Sequence, residues 1–150
     1  MKRLALILLA ALLLAACGSS DDTTTTQAAT TTDGEAMEAV TVNVTANEYA
    51  FESDLTTFEA GVPYHFVVTN TGEEEHEFMI IAPIEPGSMD MEAMDDLALV
   101  VIEDEDLQAG AVATADFTFT AEDVGADLEF ACHVGEHYED GMHIPITVSG

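Results

Sequence analysis

A two-residue alternation of apolar and polar side chains constrains the fold of this chain more than any other feature. It is clearest in residues 111–120, where Phe117 and Phe119 would share one strand face and the intervening threonines the other. Alternation with a period of two is typical of a β-strand that buries one face. A chain built of such segments must bury those faces against a second sheet.

Similar short segments, bounded by Gly, Pro, Asn or Asp, recur along the chain. They are residues 40–44, shorter pieces within 49–58, then 64–69, 76–81, 97–102, 128–132 and 144–148. Residues 85–96 contain three methionines and are predicted to form one short Met-rich loop or helix. Seven to eight short strands with hardly any helix predict an all-β Greek-key β-sandwich.

The first 38 residues are expected to lie outside this sandwich. Residues 1–16 begin with a positively charged segment, which is followed by an apolar run too short to span a bilayer comfortably. This pattern predicts a signal peptide. The run ends Leu14-Ala15-Ala16-Cys17, which resembles a bacterial lipobox and predicts lipidation of Cys17. Residues 17–38 are rich in Thr, which predicts a disordered tether. Residues 39–150 then form a single domain.

These segments predict an exported protein. We expect it to be lipid-anchored to the cell membrane, facing the periplasm or the cell exterior, and to touch the membrane through the lipid anchor only.

The chain is strongly acidic, with 30 Asp and Glu against two basic residues and a net charge of −28. Both basic residues, Lys2 and Arg3, would leave with the signal peptide. Nothing then remains to neutralise a phosphate, which excludes nucleic-acid binding. The acidity could steer a basic redox partner, but general solvation is favoured because the acids are spread along the whole domain. The like charge also predicts a monomer.

Cys132 has no disulfide partner if Cys17 carries a lipid, although the exported compartment is oxidising. Its neighbours give the pattern Cys132-x4-His137-x4-Met142 on one loop between two predicted strands. Thiolate, imidazole and thioether are ligands that suit copper, and a blue-copper site needs two imidazoles, one thiolate and a weak axial Met. His76 is the best-placed second imidazole. The predicted metal ligands are therefore His76, Cys132, His137 and Met142.

The other histidines and methionines have weaker arguments. His65, His133 and His143 have no spacing argument and are predicted to be structural or surface residues. The segment Met89-x-Met91-x-x-Met94 could catch Cu(I), but flexible apolar packing is the favoured interpretation.

Several of these segments resemble the cupredoxin family, the plastocyanin and azurin type of blue-copper protein. The resemblance covers the whole domain and is carried by Asn70-Thr71-Gly72 leading to His76-Glu77-Phe78, by Phe130-x-Cys132, by the ligand loop and by residues 144–148. It implies a cupredoxin-like sandwich with one type 1 copper ion held by the four predicted ligands, cycling between Cu(II) and Cu(I). It also implies one-electron transfer, often through the edge of His137, to a redox protein such as a cytochrome or oxidase.

Two departures from the family pattern concern the ligand loops. Glu77 follows the first His where many relatives have an Asn or Ser that helps tie the two ligand loops together, and Gly135-Glu136 replaces the common Pro-Gly. A carboxylate near the site is expected to stabilise Cu(II) and lower the reduction potential.

The predicted function is that of a membrane-tethered one-electron carrier and not of an enzyme. The alternative is a copper-binding chaperone or resistance protein that stores or delivers copper in the cell envelope. A Cys132-His137 hydrolase or thiol peroxidase is disfavoured, because the pair lacks an evident orienting group and Met142 would have no role.

Overall fold

The computed structural model describes residues 37–85, 87–88 and 90–150. The predicted signal peptide, the predicted lipid attachment at Cys17 and nearly all of the predicted tether lie outside the described residues. Within the described ranges, no helix is long and apolar enough to cross a membrane.

The described part of the chain contains nine strands, one α-helix and one 3-10 helix. The strands are β1 Val40–Asn47, β2 Ala50–Ser53, β3 Thr57–Glu59, β4 Pro63–Asn70, β5 Phe78–Ile81, β6 Val100–Ile102, β7 Val112–Thr118, β8 Leu128–Ala131 and β9 His143–Ser149. The α-helix, α1, is Met91–Asp95, and the 3-10 helix is Asp104–Asp106.

These strands form two sheets, ordered β2-β1-β4-β7 and β3-β9-β8-β5-β6. The pairs β1 with β4 and β3 with β9 are parallel, and the remaining pairs are antiparallel. The predicted all-β sandwich is confirmed. The strand number is nine because residues 49–58 contribute two strands, β2 and β3.

Two strands begin later than the sequence predicts. The segment 76–81 becomes strand only from Phe78, because the backbone N–H of His76 bonds to Leu107 and that of Glu77 points at the Cys132 sulfur. The segment 97–102 begins only at β6, because residues 97 and 98 still donate to the end of α1.

The main core lies between the sheets and is rich in aromatic rings. Alternate residues of β1 and β4 point into it, as period-two patterning requires. Phe58 lies near its centre, with its ring centroid 4.9 Å from that of Phe119 and 5.8 Å from that of Phe66. Phe117 and Phe119 also contact each other, as their predicted common face requires.

The central strands β5 and β8 are buried on both faces; β5 is apolar throughout, whereas β8 includes the buried Glu129. On the outer face, Met94 of α1 packs with Met79, Ile81 and Ala131. This contact agrees with the packing interpretation of the Met segment. Met89 and the side chain of Met91 lie outside the described residues.

Two long loops and one turn come together at one end of the sandwich. Because β1 and β4 run parallel, the turn at residues 48–49 and the loop 71–77 leave the sheet at the same end. The loop 132–142, which joins β8 to β9, meets them there, since His76 contacts His137. All four predicted ligands lie on these two loops.

Candidate metal centre

The loop that carries His76 is fixed by Asn70, the last residue of β4. The buried Asn70 side chain donates to the carbonyl oxygens of Glu74 at 2.7 Å and Leu107 at 2.9 Å. Its Oδ1 accepts from the N–H of Gly72 at 2.8 Å. These bonds close the turn ahead of His76, which is fully buried.

The second loop is tied together by its own backbone. The N–H of Cys132 donates to the carbonyl of Met142 at 3.1 Å, and the N–H of Met142 donates to the carbonyl of His137 at 2.9 Å. Cys132 and Met142 are fully buried, and His137 is 8% exposed. The bonds put Met142 beside the other two residues of the predicted set.

The donor atoms of three predicted ligands converge. His76 Nδ1 lies 3.3 Å from His137 Nδ1, and Cys132 Sγ lies 3.5 Å from the same nitrogen. A metal bonded at about 2.0 Å to nitrogen and about 2.3 Å to sulfur can bridge donor atoms up to roughly 4 Å apart. One ion can therefore bridge each of these two pairs.

The protonation of these groups suits a metal ion. Burial, together with the nearby His137, lowers the pKa of His76, so its imidazole is neutral and has a free lone pair. Burial raises the pKa of the Cys132 thiol to about 11, so the thiolate needs a cation beside it. Two imidazoles and a thiolate, with a thioether as weak fourth ligand, fit copper.

Glu77 joins the two ligand loops. It is 1% exposed; its N–H donates to Cys132 Sγ at 3.4 Å, and its Oε1 accepts from the N–H of His133 at 3.1 Å. Burial raises the pKa of Glu77 to about 7. The carboxylate therefore makes the connection between loops that an Asn or Ser is expected to make in relatives. Its predicted effect on the copper potential stays a prediction.

Carboxylates also lie at the outer edges of both imidazoles. Glu48 Oε1 is 3.5 Å from His76 Nε2, and Glu74 Oε2 is 3.3 Å from His137 Nε2. The pKa of Glu48 is lowered, chiefly by the hydrogen bond from the N–H of Glu74. Neither residue could be identified from the sequence, because neither has a spacing relation to the ligands.

Tyr49 completes this outer edge. Its ring centroid is 4.6 Å from that of His137, and its hydroxyl donates to Glu74 Oε2 at 3.2 Å. In the sequence, only the position of Tyr49 in a turn between two strands could have indicated a role at the site. A cavity of about 280 Å³ opens over His137, lined also by Glu74, Glu75 and Val134.

The remaining histidines lie outside the ligand cluster, in agreement with the roles expected for them. His133 stacks on Tyr138 with centroids 4.5 Å apart, and Tyr138 stacks on His143 at 4.4 Å. The buried Glu129 accepts from the Tyr138 hydroxyl at 2.6 Å and contacts His143 Nδ1 at 3.2 Å. On the other sheet, His65 pairs with Asp116.

No family model and no curated protein matches the chain. Solved structures do. Dithionite-reduced auracyanin from the photosynthetic bacterium Roseiflexus castenholzii is 20% identical over 77% of this chain and 100% of that chain, with a TM-score of 0.56. Auracyanin A, a "blue" copper protein from the green thermophilic photosynthetic bacterium Chloroflexus aurantiacus, is 17% identical over 75% and 100%, with a TM-score of 0.55. Rusticyanin from Thiobacillus ferrooxidans is 17% identical over 75% and 79%, with a TM-score of 0.50.

These structures share their architecture with the two-sheet sandwich described above. The chain therefore has the cupredoxin fold, which the sequence resemblance implied.

Proposed function

We propose that this domain holds one type 1 copper ion through His76, Cys132, His137 and Met142 and serves as a one-electron carrier. The observation that carries the proposal is the convergence of His76 Nδ1, Cys132 Sγ and His137 Nδ1, at 3.3 and 3.5 Å, among buried residues. The likeness to auracyanin A, a "blue" copper protein, supports it.

The residues around the site support a carrier because they hold the donor atoms in place. Bound copper supplies a couple between Cu(II) and Cu(I). Asn70 fixes the loop of His76, and Glu77 joins that loop to the loop of Cys132. A site held this rigidly changes little between the two oxidation states, and burial keeps water from its donor atoms. Of the three converging ligands His137 is the most exposed, so electrons are proposed to pass at its edge.

The proposed partner is a redox protein, such as a cytochrome or oxidase, with a basic docking patch. Glu74 and Glu75 line the cavity beside His137, and the described residues contain no Lys or Arg. Opposite charge on the partner would raise the rate of encounter in a salt-dependent way. The like charge of the domain favours a monomer.

The proposed location follows from the N-terminal sequence. Export is directed by residues 1–16, and a lipid on Cys17 anchors the mature chain, with residues 17–38 as tether. The domain then works at the outer side of the cell membrane, in the periplasm or at the cell exterior. It contacts partners within the reach of the tether.

Repeated redox cycling in the presence of a copper competitor tests the carrier role. The copper-loaded protein is reduced with ascorbate and reoxidised with ferricyanide, with a Cu(I) chelator present throughout. A carrier takes up and releases one electron per copper in every cycle and keeps its copper. Cys132→Ser, which lacks the thiolate, is the control and should lose copper. Transfer of copper to the chelator at the first reduction would contradict the proposal and support the storage or delivery role.

A further inference from the structure

A carboxylate oxygen lies within 3.5 Å of the outer nitrogen of both ligand imidazoles, and the buried His76 Nε2 has no hydrogen-bond partner among the described residues. The Nδ1 atoms of His76 and His137 face each other across 3.3 Å, so the Nε2 atoms are the ones left to contact Glu48 and Glu74. A metal-binding histidine commonly donates its second N–H to a carboxylate, which fixes the tautomer and makes the ligand more basic. Here each of the two imidazoles has one carboxylate near enough for this role, Glu48 for His76 and Glu74 for His137.

Glu48 is held in position by the backbone of the loop that carries His76. Its Oε1 accepts from the N–H groups of Glu73 at 2.7 Å and Glu74 at 2.8 Å. A Cβ on Gly72 would clash with the same oxygen, so the glycine leaves the space that this carboxylate occupies. Residues of the loop that carries His76 therefore bind the Glu48 carboxylate, which in turn lies beside the His76 ring.

Glu74 is held by Tyr49, whose hydroxyl donates to the same Oε2 that contacts His137. The Tyr49 ring also packs on the His137 ring. Tyr49, Glu74 and His137 thus form a closed triangle at the edge through which electrons are proposed to pass.

We propose that Glu48 and Glu74 are positioning residues that direct the Nδ1 lone pairs of His76 and His137 inward and favour Cu(II) over Cu(I). The inference rests on the proposed function, because it concerns the metal held by the same site. Two negative charges close to the ligands stabilise the more highly charged ion. The site accordingly has a lower reduction potential than it would have with neutral groups at residues 48 and 74.

The two carboxylates should differ in how strongly they affect the metal site. The side chain of Glu48 is 29% exposed and that of Glu74 is 53% exposed, so water and salt screen Glu74 more. Replacement of Glu48 should therefore change the site more, and the effect of Glu74 should shrink more as salt is added.

Glutamine variants of the full-length, copper-loaded protein in detergent test the proposal by voltammetry. Glu48→Gln and Glu74→Gln keep an acceptor oxygen at each position and remove only the charge. Outer-shell partners typically change metal affinity by about 10–100-fold, and a tenfold change in the Cu(I):Cu(II) affinity ratio is about 59 mV. The potential should rise by about this amount in Glu48→Gln, by less in Glu74→Gln, and furthest in the double variant.

The matched control is Glu136→Gln. Glu136 is exposed, adjoins His137 in sequence, and its carboxylate makes no hydrogen bond among the described residues. The Glu136→Gln variant loses the same charge but no contact with a ligand imidazole, so its reduction potential should stay close to that of the wild type. Potentials of the Glu48 and Glu74 variants that move no further than that of Glu136→Gln would overturn the inference.

A titration with Zn(II) separates this inference from the proposed function, because zinc undergoes no redox change. The Glu48 and Glu74 variants should bind Zn(II) more weakly than the wild type, and Glu136→Gln should not. A wild type without a blue site would contradict the proposed function, while weaker Zn(II) binding in the two variants would still support the effect of their carboxylate charges on the bound metal. Equal Zn(II) affinities in all variants would contradict the effect of the two carboxylate charges on the bound metal, even if the copper site were blue.

Discussion

The backbone N–H of Glu77 donates a hydrogen bond to the Cys132 sulfur over 3.4 Å. The Glu77 carboxylate is buried and accepts a hydrogen bond from the backbone N–H of His133, the residue that follows Cys132. One residue therefore contacts a proposed ligand and also joins the two ligand loops. Because burial raises its pKa to about 7, this connection makes stability depend on pH.

Glu77→Gln is expected to stabilise the metal-free protein at alkaline pH. The folded state binds the Glu77 proton more tightly than the unfolded state, whose pKa is near 4.5. This contribution to stability is complete below pH 4.5 and is lost as the pH rises through about 7, a loss of about 3 kcal/mol. Glutamine cannot ionise, and its amide oxygen can still accept from His133.

Urea denaturation across this pH range checks the Glu77 prediction. The stability of Glu77→Gln relative to the wild type should increase between pH 4.5 and about 7. Glu105→Gln, at an exposed residue, controls for the loss of one charge. If the difference in unfolding free energy between Glu77→Gln and the wild type stays constant with pH, ionisation of the buried Glu77 carboxylate does not cause the loss of stability.

Asn70→Ala should destabilise the fold by about 2–4 kcal/mol, because three hydrogen bonds of a buried side chain are lost. Copper binding should weaken as well, since the loop of His76 loses its anchor. Denaturant unfolding and a copper titration measure the two effects. Asn43→Ala, which removes an exposed hydrogen bond to Asp54, is the control and should cost less than about 1 kcal/mol. Equal losses in the two variants would contradict the anchoring role.

Tyr138→Phe should cost about 1–3 kcal/mol, because it leaves the buried Glu129 carboxylate without its 2.6 Å hydrogen bond. The ring stack between His133 and His143 can persist, since phenylalanine keeps the aromatic face. Tyr49→Phe removes the hydroxyl that donates to the exposed Glu74 and should cost less. Thermal unfolding of both variants is the measurement, and a larger loss in Tyr49→Phe would refute the ranking.

The acidic surface predicts a charge preference in electron exchange. A cationic one-electron reagent should react with the reduced protein faster than an anionic reagent of similar driving force, and the two rates should converge as salt is added. Stopped-flow kinetics at several salt concentrations measure this. Rates that do not depend on salt would indicate that the acids near His137, such as Glu74 and Glu75, do not steer the partner.

The sequence predicted most of the sandwich because its strands bury one face and therefore alternate. It predicted boundaries poorly at Phe78 and Val100, where backbone groups bond to loops and to the end of α1 instead of a neighbouring strand. The proposed ligands could be found because three of them share one loop with a regular spacing. Glu48 and Tyr49 could not, since only the parallel pairing of β1 with β4 brings their turn to the site.

The central claim is that one blue copper ion is held by the cluster of His76, Cys132 and His137 with Met142 beside it. Its most direct test is the visible absorption and electron paramagnetic resonance of the Cu(II)-loaded wild type beside Cys132→Ser. We predict an intense blue thiolate band and a small copper hyperfine splitting in the wild type, both lost in the variant. Colourless copper binding, or spectra unchanged by the substitution, would contradict the claim.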